Sequence, residues 1–296
     1  MALRPILVIG RGGQLGSALA DATPICQVGQ PECDFSVPGT IEDAVRLTAP
    51  RVVVNAAAYT AVDAAETDVE AAYCANRDGP AQLARLCEAA AIPLIHVSTD
   101  YVFDGSKGAP YVESDPPSPT GAYGASKLAG EQALLAACSR GIVLRTSWLY
   151  SPVGRNFVRT MLSAAKRTNQ LRVVADQIGC PTTAADLAAA ILAIIARIDA
   201  GGWRAEFAGI YHVAGTGWTS WHGLACATFE EAARHGLPSP TVEAIATADW
   251  PTPAKRPADS RLDCSRLHAV FGVRLPPWRD SLARTVDAIF AAEPAR

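Results

Sequence analysis

The first twenty residues contain the feature that most constrains the fold, a short apolar strand that runs into a glycine-rich turn. Residues 4–9 are predicted as a strand and residues 17–20 as helix, with Gly10-Arg-Gly-Gly13-Gln-Leu-Gly16 between them. Strand, glycine turn and helix in this order provide the context of a phosphate-binding βα turn. Gly10 permits the tight turn, Gly13 lets the backbone approach a pyrophosphate, and Gly16 lets the helix pack on the strand. We therefore expect a dinucleotide at this turn, with its pyrophosphate on the helix N-terminus.

Predicted strands and helices alternate along the first half of the 296-residue chain. Strands are expected at residues 4–9, 25–29, 51–55, 92–98 and 142–147, and helices at 41–47, 64–73, 80–91 and 122–138. No two of these strands follow each other as a hairpin. The alternation therefore predicts an α/β fold with a parallel, doubly wound sheet of the Rossmann type.

Beyond residue 150 the alternation loosens. Helices are predicted at 156–166, 183–198 and 279–292, and strands at 171–174 and 211–215, with a Trp- and Pro-rich region between residues 218 and 257. Such loops suit a lobe that closes over a sheet edge, although each Trp could equally pack as ordinary core. We predict an NAD(P)-binding domain at 1–148 and a smaller, mixed α/β substrate lobe at 149–296, with residues 183–215 returning to the first domain.

Three side chains with proton chemistry are predicted to meet at the end of the fourth strand. Thr99 lies at the carboxyl end of that strand, and Tyr123 and Lys127 are four residues apart on the following helix, so one face presents both. A free tyrosine titrates near pH ~10, and a fixed ammonium should lower its pKa and make it an acid for a carbonyl. The Tyr-x-x-x-Lys spacing is weak by itself, because exposed helices often carry this pair.

The second strand lacks the acidic residue that usually holds the adenosine ribose. Gly29-Gln30 occupies that place, and no arginine replaces it to bind a 2′-phosphate. The choice between NADH and NADPH is therefore not readable. Asp34-Phe35 follows where a loop could cover the adenine, although Asp34 could also serve as a turn residue or helix cap. The small residues 56–58 follow the third strand and would let a flat cofactor lie against the backbone.

Composition narrows the classes of function. A net charge of −3 gives no electrostatic support for a nucleic-acid or anionic-membrane partner. The eight cysteines are scattered without a Cys-x-x-Cys, which indicates reduced thiols and a cytoplasmic protein. The five histidines lack zinc-site spacing, so no metal is predicted from them. The apolar run near residue 6 is too short for a signal peptide, and residues 187–196 are too few to span a bilayer.

Seven motifs occur together, and as a set they resemble one family over nearly the whole chain. They are Gly10-x-x-Gly-Gln-Leu-Gly16, Asn55-Ala-Ala-Ala-Tyr-Thr-x-Val-Asp63, Ser98-Thr-Asp-Tyr-Val-Phe-Asp-Gly105, Tyr123-Gly-x-x-Lys127, Arg145-Thr-Ser-Trp-Leu-Tyr150, Asp176-Gln-x-Gly-x-Pro-Thr182 and Arg256-Pro-x-x-Ser-Arg-Leu262. The set closely resembles the dTDP-4-dehydrorhamnose reductases, which are extended short-chain dehydrogenase/reductases.

The resemblance implies reduction of the 4-keto group of dTDP-4-dehydro-β-L-rhamnose by NADPH or NADH, the last step of dTDP-L-rhamnose synthesis. It implies a catalytic set of Thr99, Tyr123 and Lys127, and substrate contacts from Thr99, Asp100 and Trp148. The implied cofactor-binding residues are Gly10, Gly13, Gln14, Leu15, Gly16, Asp34, Phe35, Ala58, Tyr59, Thr60, Val97, Tyr123 and Lys127.

Two departures from the family pattern bear on cofactor and assembly. The connection from the first helix to the second strand is abbreviated, and the acidic ribose-binding residue is missing. Some members form a dimer around a magnesium site built from glutamates. Here Ala18 and Asp186 stand where two of those are expected. Magnesium is therefore possible but not supported by these residues, and the chain is expected to be a monomer or a homodimer.

Two other functions remain open at this level. A related sugar-nucleotide epimerase or dehydratase also uses Tyr-x-x-x-Lys, but a dehydratase needs further acid–base carboxylates, and Asp100 has no accompanying glutamate. A non-catalytic subunit that keeps the fold and binds a partner enzyme would retain the same motifs. Stoichiometric oxidation of NAD(P)H with the keto-sugar nucleotide separates a reductase from both.

Overall fold

The computed structural model describes residues 3–20, 22, 24–37 and 39–292. Its strands are β1 (Ile6–Ile9), β2 (Ile25–Val28), β3 (Val52–Asn55), β4 (Leu94–Thr99), β5 (Gly141–Thr146), β6 (Leu149–Tyr150), β7 (Gln170–Val174), β8 (Ile178–Gly179), β9 (Thr182–Thr183), β10 (Gly209–His212), β11 (Thr219–Ser220) and β12 (Thr241–Ile245). Its α-helices are α1 (Gln14–Leu19), α2 (Thr40–Thr48), α3 (Val69–Tyr73), α4 (Gly79–Ala89), α5 (Ala122–Ala137), α6 (Phe157–Ala165), α7 (Ala184–Gly201), α8 (Trp221–Ala233), α9 (Ser265–Phe271) and α10 (Trp278–Ala292).

Six strands form a central parallel sheet in the order β2-β1-β3-β4-β5-β10. All residues of β1, β3 and β5 are buried, as expected for strands that are covered on both faces. Side chains of α1, α7 and α9 pack on one face, and those of α2, α4 and α5 pack on the other. The predicted doubly wound fold is therefore confirmed. The strand order reverses between β1 and β3, where open α/β sheets bind ligands.

The parallel register brings the carboxyl ends of the strands to one edge of the sheet. Ile9 pairs with Asn55, Asn55 with His96, and Thr99 with Thr146. The last residues of β1, β3, β4 and β5 thus lie along one edge, from which the following loops project. Residues that are far apart in sequence meet there.

The predicted helix at 64–73 is divided into two pieces, and a π-helical turn follows it. A 3₁₀ turn at Ala64–Glu66 precedes α3, and a π-helical turn at Cys74–Asp78 joins α3 to α4. A π-turn inserts an extra residue into the helical ladder and often marks a functional position. Here it lies against α5, where a Cβ on Gly130 would come 1.9 Å from the carbonyl oxygen of Asn76.

The second half of the chain contributes to both the sheet and a separate cluster. β10 joins the central sheet, and α7 and α9 pack into its core; α9 lies beyond the residues predicted to return to the core. The helices α6, α8 and α10 form another hydrophobic cluster, around Tyr150 and Trp278. Three two-stranded pairs, β6 with β9, β8 with β11 and β7 with β12, complete this part. The domain division at residue 148 stays a prediction.

No helix within the described ranges combines the length and the apolar character needed to cross a membrane.

Candidate active site

A cavity of about 1120 Å³ opens along the edge where the strands end. Its wall is formed by residues 10–15 after β1, 56–60 after β3, 99–101 after β4 and 146–149 after β5. Binding cavities for organic ligands are usually about 300–1,000 Å³, so this cavity can hold more than one small ligand. The cavity lies where the strand order reverses, which is the usual ligand-binding position in open α/β sheets.

The glycine turn is shaped by two close backbone approaches. Gly10 has φ of +118°, and a Cβ there would come 2.9 Å from the backbone of Ala56 and Ala57. A Cβ on Gly16 would come 2.2 Å from the carbonyl oxygen of Gly10. Gly10 and Gly13 line the cavity, whereas Gly16 lies behind the turn and does not. Any side chain at Gly10 or Gly16 would distort the turn itself.

All the predicted catalytic and substrate residues line the cavity, and so do all the predicted cofactor residues except Gly16. The Thr99 hydroxyl donates to Asp100 Oδ1 at 3.1 Å and accepts from the Tyr101 backbone N–H at 3.2 Å. The Tyr101 ring meets the Tyr123 ring edge to face, with centroids 5.5 Å apart. The residue after Tyr123 must be small, because a Cβ on Gly124 would come 2.2 Å from the Tyr101 carbonyl.

Lys127 is buried beneath the cavity. Its Nζ donates to the carbonyl oxygen of Val97 at 2.6 Å and lies 3.2 Å from His96 Nε2. Burial lowers the pKa of Lys127 to about 8, against an opposing effect from Glu131. This lysine therefore sits close to its titration point at physiological pH.

The expected lowering of the Tyr123 pKa is wrong for this structure. Burial raises the pKa of Tyr123, and the negative charge of Asp100 adds to the rise, while a hydrogen bond with Thr99 opposes it. The Lys127 amine points toward Val97 and His96, so its charge does not lower the pKa of the phenol. Tyr123 is thus held as the neutral phenol. Burial also raises the pKa of Asp100 to about 6.

An aromatic wall closes the other end of the cavity. The indoles of Trp148 and Trp221 stack with centroids 3.5 Å apart and an angle of 6°. Trp148 has an unusual φ of +48°, and a Cβ on Gly179 would come 2.4 Å from its ring. Trp221 Nε1 donates to Gln177 Oε1 at 3.2 Å. The wall is therefore fixed by stacking, by Gly179 and by a hydrogen bond.

The end of the cavity beside β2 contains an arginine that the sequence argument missed. Arg11 comes from the glycine turn, and its backbone packs against Gly29, where a Cβ would come 3.4 Å from the Arg11 nitrogen. Its guanidinium pairs with Glu32 at 2.8 Å. No arginine stands among residues 29–37 after β2, but Arg11 reaches the end of β2 from another part of the chain, where its N–H donates to the Val28 carbonyl at 3.0 Å. The sequence feature that could have predicted this contact is the position of Arg11 within the glycine turn, which lies over the end of β2.

The Asp34 carboxylate serves its own loop. Its Oδ1 accepts from the Ser36 backbone N–H at 2.9 Å and from the Ser36 hydroxyl at 2.7 Å, and Gln30 donates to Oδ2 at 3.0 Å. These bonds, with those of Ser36 the largest, lower the pKa of Asp34. Beside it, Phe35 packs against Gly79, where a Cβ would come 2.2 Å from the ring. The loop at Asp34 and Phe35 is therefore ordered on the cavity rim by its own contacts.

Asn76 is a second residue that the sequence argument missed. From the π-turn, its Oδ1 accepts from the Tyr59 N–H at 2.9 Å and its Nδ2 donates to the Tyr59 carbonyl at 3.1 Å and to Ser126 Oγ at 3.0 Å. It thereby fixes a cavity-lining loop to the helix that carries Tyr123. The π-turn has no simple local sequence pattern, so this role was hidden.

The motif near residue 256 ties the carboxyl-terminal segment to the cavity. Arg256 Nη1 donates to the Tyr101 hydroxyl at 3.0 Å, and its Nη2 pairs with Asp63 at 2.8 Å. The Ala254 N–H also donates to Asp63, at 3.2 Å. These contacts join the motifs at 63, 101 and 256 in space.

Across the described residues, no cluster of three or more His, Cys, Asp or Glu side chains is arranged to hold a metal ion. Asp186, one of the positions considered for magnesium, instead accepts a hydrogen bond from Ser281 and pairs with Arg284 at 3.0 Å.

Comparisons with known proteins agree on one family. The family model described as "RmlD substrate binding domain" matches residues 4–290. A dTDP-4-dehydrorhamnose reductase from Sinorhizobium fredii is 43% identical, over 96% of this chain and 97% of its own. One from Escherichia coli K12 is 38% identical, with coverage of 96% and 98%. The crystal structure of the Bacillus anthracis dTDP-4-dehydrorhamnose reductase with NADP has a TM-score of 0.88 and 32% identity, covering 96% of this chain and 99% of that one.

Proposed function

This chain belongs to the dTDP-4-dehydrorhamnose reductase family, and on that premise we propose that it reduces the 4-keto group of dTDP-4-dehydro-β-L-rhamnose to dTDP-L-rhamnose. It is an oxidoreductase of dTDP-rhamnose synthesis that uses NADPH or NADH. The observation that carries the assignment is the meeting of Thr99, Tyr123, Lys127 and the glycine turn on one cavity.

The residues present fit a dinucleotide. Gly10 leaves no room for a side chain between the turn and the backbone of Ala56 and Ala57, and the small residues 56–58 leave a flat surface at the strand ends. Gly13, Gln14 and Leu15 would hold the pyrophosphate, and the prebuilt loop at Asp34 and Phe35 would cover the adenine. When bound, NAD(P)H supplies a hydride to C4 of the sugar.

Tyr123 is the proton donor in this proposal. Because its pKa is raised, it carries its proton at neutral pH, which is the form needed to protonate the alkoxide oxygen that develops at C4. The proton leaves the phenol oxygen for that oxygen, so the keto group gains one hydride and one proton. The Thr99 hydroxyl donates to the same oxygen, which stabilises its developing charge.

Lys127 would hold the nicotinamide ribose. Asp100 and the stacked Trp148 would bind the sugar nucleotide, since both line the cavity beside Thr99. The Trp148–Trp221 wall offers an apolar surface to a sugar or base face.

Arg11 is proposed to hold the 2′-phosphate of NADPH. Its guanidinium lies at the end of β2 and is paired at the exposed rim with Glu32, and Arg binds phosphate through charge-assisted hydrogen bonds. Without a 2′-phosphate, Arg11 stays with Glu32. This arrangement supports the use of both cofactors.

The carboxylates on the cavity wall are Asp34 and Asp100, and Asp34 is engaged by Ser36. Asp100 thus stands without a second acid–base carboxylate, which disfavours a dehydratase. We also propose a cytoplasmic location, supported by eight cysteines that are all free thiols, and a monomeric or homodimeric enzyme.

The test is to supply the purified protein with dTDP-4-dehydro-β-L-rhamnose and NADPH, and to follow absorbance at 340 nm with product analysis. One NADPH oxidised per dTDP-L-rhamnose formed is the expected result. Sugar conversion without net NADPH oxidation would indicate an epimerase, and no conversion would indicate a non-catalytic subunit.

A further inference from the structure

A chain of three buried polar side chains runs behind the Tyr–Lys pair, and nothing in the reaction described above uses its far end. Asn55 ends β3, His96 is its register partner in β4, and Lys127 lies on α5. Asn55 Nδ2 lies 3.0 Å from His96 Nδ1, and His96 Nε2 lies 3.2 Å from Lys127 Nζ. All three residues are at most 1% exposed.

The backbone fixes the direction of the first hydrogen bond. The Ala57 N–H donates to Asn55 Oδ1 at 3.1 Å, so the oxygen of the amide faces Ala57 and its NH₂ faces His96. An amide NH₂ can only donate. His96 Nδ1 must therefore accept, which means that it carries no proton.

The proton of the neutral imidazole then lies on the other nitrogen. Burial and the neighbouring Lys127 hold the pKa of His96 well below its ordinary value, so the ring is neutral. With Nδ1 bare, Nε2 carries the hydrogen and points it at Lys127 Nζ. An ammonium has three donors and no lone pair to accept this hydrogen, whereas a neutral amine has one.

We propose that Asn55 and His96 are positioning residues that favour the neutral amine of Lys127 and thereby lower its proton affinity in the cofactor-free enzyme. In this form Lys127 accepts from His96 and still donates to the Val97 carbonyl. The ammonium would require the other imidazole tautomer, whose Nδ1–H would face the Asn55 NH₂. Turning the Asn55 amide over would instead set its NH₂ against the Ala57 N–H.

One charged group near Lys127 favours the ammonium over the neutral amine. Glu131, one turn further along α5, favours the ammonium, but its charge is matched by Arg145 from β5 at 2.6 Å. Tyr123 on the same helix is a neutral phenol, and the buried Asp100 faces that phenol. With Glu131 paired and burial disfavouring charge, the hydrogen of His96 decides the form of the amine.

The consequence for the reaction rests on the proposed function. While Lys127 is neutral it does not lower the pKa of Tyr123, so the phenol keeps its proton. Protonation of Lys127 is tied to a tautomer change of His96, which lies behind Lys127 and does not line the cavity. Asn55 and His96 would therefore set the pH at which the pair becomes active.

Nuclear magnetic resonance of the full-length, cofactor-free protein tests the proposal directly. The chain has five histidines and four lysines, so the His96 ring nitrogens and the Lys127 Cε can be assigned by single substitutions of the others. Long-range ¹H–¹⁵N spectra report the tautomer, and the ¹³Cε shift against pH reports the protonation of Lys127. The wild type should show the Nε2–H tautomer, with Lys127 titrating at least tenfold lower in proton affinity than the other lysines.

The Asn55→Asp variant should reverse both readouts. A carboxylate keeps the acceptor for Ala57 but now accepts from His96, so the ring should change to the Nδ1–H tautomer and Lys127 should bind its proton at least tenfold more tightly. Glu131→Gln is the matched charge control. It removes a negative charge near Lys127 without touching Asn55, so the tautomer should remain Nε2–H while the proton affinity of Lys127 falls.

An Nδ1–H tautomer in the wild type, or a Lys127 that stays charged up to the pH of the other lysines, would overturn the proposal. Both measurements are made without substrate, so they stand even if the protein fails to oxidise NADPH. If Asn55→Asp does not fold, the wild-type tautomer still decides the question.

Discussion

The buried ion pair between Glu131 and Arg145 offers a quantitative test of how the site is held. Both side chains are 2% exposed or less, and Arg145 donates to Glu131 at 2.6, 3.0 and 3.1 Å. Ser98 Oγ donates to the same carboxylate at 2.5 Å. Within the described part of the chain, Glu131 accepts every hydrogen bond that the Arg145 side chain donates, and Arg145 Nη1 has no hydrogen-bond partner. The guanidinium therefore depends on one carboxylate.

Glu131→Gln keeps the shape but leaves the guanidinium without a counter-charge. Removing one partner of a buried pair costs about 3–5 kcal/mol, so the free energy of unfolding should fall by about that amount. Urea unfolding followed by tryptophan fluorescence measures it. The matched control is Asp43→Asn, which breaks an exposed pair with Arg46 and should leave the unfolding midpoint unchanged.

The double variant Glu131→Leu with Arg145→Met tests the reason for that loss. Replacing both charges by apolar groups removes the uncompensated cation, so this variant should be more stable than Glu131→Gln. A loss below about 1 kcal/mol for Glu131→Gln, or a double variant that is less stable than the single one, would refute the reasoning.

Three further predictions follow from single residues. Asn76→Ala should cost about 2–3 kcal/mol in urea unfolding and weaken NADPH binding in fluorescence titration, since it frees the Tyr59 backbone; unchanged affinity would contradict this. Asp100 has a raised folded pKa of about 6, so the native state loses stability as pH rises from about 4 to 6. The free energy of unfolding of Asp100→Asn, relative to that of the wild type, should therefore be up to about 3 kcal/mol higher at pH 7 than at pH 4. Parallel curves of stability against pH for the two proteins would contradict this prediction. Arg11→Ala should weaken NADPH about tenfold and leave NADH binding unchanged, with Arg46→Ala as control; an equal loss for both cofactors would rule out the phosphate contact.

The sequence predicted what is encoded locally. The apolar run of β4 placed Thr99 at a strand end, the composition of α5 placed Tyr123 and Lys127 on one helix, and the glycine turn predicted its own geometry. These features depend on periodicity and on residues that are close in the chain. The parallel sheet followed from the alternation of strands and helices.

What the sequence did not predict depends on contacts between distant segments. Arg11 reaches the end of β2 only because β1 and β2 are neighbours in the sheet. The pKa of Tyr123 rises because the fold buries the phenol near Asp100, whereas sequence spacing shows only the lysine four residues away. The meeting of Asn55 and His96 depends on the register of β3 and β4.

The most direct test of the account is single-turnover reduction by Tyr123→Phe loaded with NADPH. A proton donor typically contributes ~10²–10⁴-fold to the rate, and the buried ring keeps its packing against Tyr101 when the hydroxyl is removed. We predict a hydride-transfer step slower by about that factor, with the dissociation constant for NADPH unchanged. A variant that reduces the keto-sugar nucleotide at the wild-type rate would contradict the assignment of Tyr123 as the acid.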